Sequence, residues 1–101
     1  MHLDVIRWDS PGAPDEETLR RQLLDEGFEV FRWRDEAGAD YAPHAHAHDE
    51  SLWVVEGALH FGAGGHDLVL QPGDRLMLPR GTIHTARAGA AGATYLIGER
   101  A

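Results

Sequence analysis

Apolar and polar positions along this chain fall into many short alternating runs, with one exception. Over residues 15–26 (DEETLRRQLLDE), Leu19, Leu23 and Leu24 recur at helical spacing. Asp15, Glu16 and Glu17 would fill the first turn, where the helix dipole favours anions. Glu16–Arg20 and Glu17–Arg21 are four residues apart and support the same helix. Pro14 before it and Gly27 after it fit the usual start and stop signals. The pattern predicts one helix, its leucines packed on the outside of a sheet.

The other runs read as strands, over residues 3–8, 28–34, 39–46, 50–56, 58–61, 67–70, 75–78, 83–87 and 94–97. Turn clusters separate them: SPGAP at 10–14, DEAGAD at 35–40, GAGG at 62–65, Gln71 to Asp74, and Pro79-Arg80-Gly81. Gly57 is predicted to allow a tight hairpin, and GAAGA at 89–93 an exposed hairpin tip. In the 28–34 run, Phe31 and Trp33 share one face, and Phe28, Val30, Arg32 and Arg34 the other. Residues 50–56 are apolar on both faces, with Leu52 and Val54 on one and Trp53 and Val55 on the other. Such a strand lies centrally or at an interface. Many short strands at intervals of roughly 8–12 residues indicate an all-β sandwich or barrel, here with one short N-terminal α-helix.

At 101 residues the chain is read as one domain, with a strand and helix in 1–27 and the barrel in 28–101. The formal net charge is −8, which argues against nucleic acid or an anionic membrane as partner. Cysteine is absent, so neither a disulfide nor thiol chemistry enters. No apolar run approaches the roughly 18–20 residues of a membrane span. The first residues, MHLDVIRWDS, do not resemble a signal peptide, so a cytoplasmic location is expected.

Chemistry concentrates in one stretch. His44, His46, His48 and Glu50 lie within seven residues, and His84 follows a strand pair later. In an extended strand His44 and His46 would share a face. The gap to Glu50 suits a tight turn, which would return its carboxylate on a neighbouring strand. Three neutral imidazoles and a carboxylate suit Fe(II), Mn(II), Ni(II), Cu(II) or Zn(II). On a six-coordinate ion two positions would stay open, whereas a closed tetrahedron would read as structural zinc. Glu50 is either a ligand or an acceptor orienting a histidine. A shifted set on His46 and His48 is conceivable by parity. His60 and His66 sit by a glycine turn and are expected to be solvated; His2 is terminal. Trp33, Tyr41 and Trp53 are expected in the core or at an interface, before any role in lining a cavity. Arg32, Arg75 and Arg80 could hold an anion or simply be solvated.

These residues resemble the two motifs of the cupin family. Gly38, His44, His46, Glu50 and Gly57 fit G-x5-H-x-H-x3-E-x6-G, and Gly73, Pro79, Gly81 and His84 fit G-x5-P-x-G-x2-H. The second motif continues to an asparagine, where this chain has Ala88. The resemblance implies a jelly-roll barrel, the double-stranded β-helix, binding one divalent transition metal (Fe, Mn, Ni, Zn or Cu) on His44, His46, Glu50 and His84. His48 then takes an outer or surface role. Cupins include dioxygenases, decarboxylases, isomerases and epimerases. The expectation is dioxygenase-like chemistry on a small organic molecule, anionic or phenolic, at the open positions. The alternative is a non-enzymatic sensing or binding module. A homodimer is expected, from the family habit and the strand apolar on both faces.

Overall fold

The computed structural model describes residues 3–101, and His2 lies outside them. Seven strands and one helix follow in the order β1 (Asp4–Ile6), α1 (Glu16–Asp25), β2 (Glu29–Asp35), β3 (Asp40–His44), β4 (Asp49–Ala63), β5 (His66–Leu70), β6 (Arg75–Leu78) and β7 (His84–Arg100). This is a mostly antiparallel β fold with one N-terminal helix. No helix among the described residues is long and apolar enough to cross a membrane.

Two long strands form the spine. β4 pairs with β7 from Asp49↔Arg100 to Ala63↔His84. The first half of β4 also pairs with β6, which carries β1, and its second half pairs with β5. Likewise β7 pairs with β3 near its start and with β2 near its end. The spine therefore belongs to both halves of a folded-over sheet.

The fold over occurs at glycines. Gly57 and Gly92 both adopt positive φ, 75° and 78°. A Cβ on Gly57 would strike the Gly92 carbonyl, so the two strands cross too closely for any side chain. Register slips around this point, between Val54 and Glu56 and between Gly57 and Leu59, bend the ladder. The predicted hairpin at Gly57 and hairpin tip at 89–93 are therefore corrected to corners within continuous strands. Local glycine chemistry is the same in both; only long-range pairing distinguishes them.

The core splits along the faces of β4. Leu52, Val54, Leu59 and Phe61 point inward with Leu70, Leu76, Leu78, Ala88 and Tyr95. Trp53 and Val55 point outward and are covered by Leu19 and Leu23 of α1, with Phe28 and Leu96. The strand apolar on both faces is thus central, and its outer face is covered by the chain's own helix. Asp15 caps α1, its carboxylate accepting from the Thr18 N–H at 3.2 Å. Leu24, counted in the leucine stripe, is exposed instead.

Arg75 is neither solvated nor free for an anion. Its guanidinium donates to both Glu26 carboxylate oxygens at 2.5 and 3.1 Å and to Ser51 Oγ at 2.7 Å. It also lies 4.6 Å from the centroid of the Trp53 ring, locking the end of α1 to the sheet.

Candidate metal centre

The site forms where the inner faces of β3, β4 and β7 meet. His44 ends β3, Glu50 lies near the start of β4, and His84 begins β7. Because His44 pairs with His84 across the β3–β7 ladder, the two imidazoles share a face. Their ring centroids are 4.2 Å apart. His46 arrives differently from expectation. It lies in the loop after β3, so strand alternation does not place it. The loop is tied back by the Gly81 N–H donating to the His46 carbonyl at 2.8 Å. This brings His46 within 5.0 Å of His44 and 5.4 Å of His84, centroid to centroid.

Potential ligand atoms of His44, His46 and His84 all lie within 4.8 Å of one another. Glu50 joins through His46, whose Nε2 is 3.4 Å from its Oε1. A second grouping of His46, His48 and Glu50 meets the same limit. His48 Nε2 is buried without a hydrogen bond, 4.0 Å from Glu50 and 3.4 Å from Glu99. His44, His46 and His84 are thus brought together, Glu50 adjoins them through His46, and His48 stands at their edge facing Glu99. His66 is exposed and His60 is partly buried, both outside these groupings.

Hydrogen bonds fix which nitrogen faces the site. The Nδ1–H of His84 donates to the Thr82 carbonyl at 2.9 Å, and that of His44 to the Ala42 carbonyl at 2.7 Å. A carbonyl only accepts, so both rings carry the proton on Nδ1 and keep the Nε2 lone pair free. Phe61 stacks on His84 with centroids 5.0 Å apart. Burial pushes the His84 pKa down, which keeps the ring neutral and able to ligate. Burial pushes the Glu50 carboxyl up, partly offset by the neighbouring histidines. A buried carboxylate beside three imidazoles, with an unsatisfied fourth imidazole near it, is a donor set that fits a divalent transition metal.

Beside these residues lies a cavity of about 210 Å³. Its apolar wall includes Leu52, Leu59, Phe61 and Ile97, and its polar wall includes Tyr41, Tyr95 and Glu99. Trp33 stands at the rim, 50% exposed, which corrects the expectation of a core position. Trp53 is buried under α1 as expected. Asp35, read as part of a turn, is a buried carboxylate at the end of β2 that accepts from Tyr41, Tyr95 and Trp33. Sequence reasoning missed Asp35, Tyr95 and Glu99. Alternation along β7 was the available signal, since Tyr95, Ile97 and Glu99 fall on one face.

Fold and site together define a β-barrel protein with a histidine- and carboxylate-lined pocket at one end. A cupin-domain family model matches residues 31–97, and the chain belongs to that family. Among solved structures it is similar to an RmlC-like cupin from Shewanella frigidimarina, with 28% identity and TM-score 0.64 over 73% of this chain and 67% of that one. It is similar to KdgF from Halomonas sp., with 30% identity and TM-score 0.62 over 73% and 71% of the two chains. Similarity to the DMSP lyase DddQ from Ruegeria pomeroyi has 27% identity and TM-score 0.68, covering 73% of this chain and 38% of that one. No curated protein matches the chain.

Proposed function

We propose that this cupin holds one divalent transition metal on His44, His46, Glu50 and His84 and transforms a small organic molecule in the adjoining cavity. The observation behind the ligand set is the clustering of three imidazoles, from β3, its following loop and β7, with a buried carboxylate from β4 beside one of them, His46. Such an ion, when bound, polarises an oxygen of the small molecule. The chain's own part is to orient and to exclude water. Thr82 and Ala42 hold the His84 and His44 rings, and Leu52, Leu59, Phe61 and Ile97 dry the cavity.

For the reaction, lyase-type bond cleavage stands ahead of the dioxygenase-like chemistry expected from the ligand set. What supports that order is the similarity to a DMSP lyase, whose full length this chain does not span. The test is turnover of the metal-loaded protein against small carboxylates bearing a leaving group, with and without dioxygen. Product formed equally under anaerobic conditions supports the lyase reading. Strict dependence on dioxygen supports the dioxygenase reading, and stoichiometric ligand binding without turnover supports a sensing module.

A further inference from the structure

We propose that the cavity selects ligands whose far end donates hydrogen bonds, an alcohol or an ammonium, and disfavours ligands that carry a second anion there. This rests on reading the cavity as a small-molecule site. The juxtaposition that carries it is Asp35 with Trp33, Tyr41 and Tyr95.

Asp35 is 5% exposed. Its Oδ1 accepts from Tyr41 Oη at 2.5 Å and from Trp33 Nε1 at 2.8 Å, and its Oδ2 accepts from Tyr95 Oη at 2.7 Å. A phenol has one proton to give. Tyr41 and Tyr95 both commit theirs to Asp35, so only lone pairs remain for the cavity they line. The bond to Asp35, with burial, raises the Tyr41 pKa; burial, with the bond to Asp35, raises that of Tyr95. Both protons therefore stay in place at neutral pH. The Trp33 N–H is shared between Asp35 and the Tyr41 oxygen, 3.1 Å away. Glu99 also lines the cavity, but at the metal end, paired across the sheet with Glu50 and 3.4 Å from His48. At the metal end, the Nδ1 protons of His44 and His84 go to backbone carbonyls. The polar wall away from the metal thus offers acceptors. A ligand carboxylate placed there would lose water and meet no donor, whereas a hydroxyl or ammonium would find several acceptors.

The test is calorimetric titration of the metal-loaded full chain with 4-aminobutanoate, butanoate and succinate, which share one metal-seeking carboxylate. We expect 4-aminobutanoate to bind at least about tenfold more tightly than succinate, with butanoate between them. The acidic chain disfavours any dianion, so Tyr41→Phe is the control, because it alters the acceptors of the wall without changing charge. The loss of the Tyr41 proton bares Asp35 Oδ1 to the cavity, so the gap between 4-aminobutanoate and succinate should widen by about threefold or more. Asp35→Asn should release a phenol proton to the cavity and move preference towards succinate; if that variant fails to fold, Tyr41→Phe carries the test. Equal or tighter binding of succinate, or a gap unchanged or narrowed in Tyr41→Phe, overturns the inference and leaves the proposed function standing. Binding of none of the three overturns both.

Discussion

At the scale of single residues, two histidines test the proposed division between ligand and support. His84 is 4% exposed, with Phe61 stacked on one side and its Nδ1–H fixed by Thr82. His48 stands at the edge, between Glu50 and Glu99. Loss of an outer partner commonly costs about 10–100-fold in metal affinity. His84→Ala should exceed about a hundredfold and His48→Ala should fall within that range or below it. Metal titration followed by calorimetry reads both. Similar losses in the two variants would place His48 among the ligands. Phe61 is 2% exposed, and Phe61→Ala should cost about 3–5 kcal/mol in denaturant unfolding. Asp74 gives a pH test away from the metal. Burial raises its pKa, but the N–H groups of Gln71 and Trp8 and the Arg7 guanidinium outweigh that and hold it below the usual carboxylate value. A carboxylate so depressed contributes stability above its unfolded pKa, near 4. That contribution is lost as pH falls through the lower folded value. Asp74→Asn should therefore lower the melting temperature at neutral pH and flatten its fall below about pH 4. An unchanged acid limb would contradict this role.

At the scale of elements, the corner where β4 crosses β7 carries the architecture. Gly57 is held at positive φ against the Gly92 carbonyl. Gly57→Ala should destabilise by at least about 1–3 kcal/mol, since backbone strain and a collision add, and thermal unfolding would show it. A neutral effect would mean that the corner relaxes. The same corner shows what the sequence could and could not disclose. Strand positions, the helix and both faces of β4 were legible, because alternation and leucine spacing report burial directly. The continuity of β4 and β7 was not, because a glycine marks a bend without saying which strands meet there. His44, His46, Glu50 and His84 were named together through motif spacing, and the three histidines do cluster. His46 reached the group by a loop and not by strand parity, and Asp35 was hidden because a turn-like composition carries no sign of burial.

At the scale of the whole molecule, the barrel brings together groups far apart in sequence. β3, the loop after it and β7 meet to place His44, His46 and His84 together, with Glu50 of β4 beside His46, while α1 seals the opposite face of the sheet. Metal binding should therefore stabilise the fold as well as the site, because the unfolded chain has no preformed donor set. The most direct test is titration of metal-free protein with Mn(II), Fe(II) or Zn(II), reading stoichiometry by elemental analysis and fold by circular dichroism. The account predicts one ion per chain, a raised melting temperature, and loss of that ion in His84→Ala with the β-sheet signal retained. Absence of stoichiometric metal, or binding undiminished in folded His84→Ala, would contradict it.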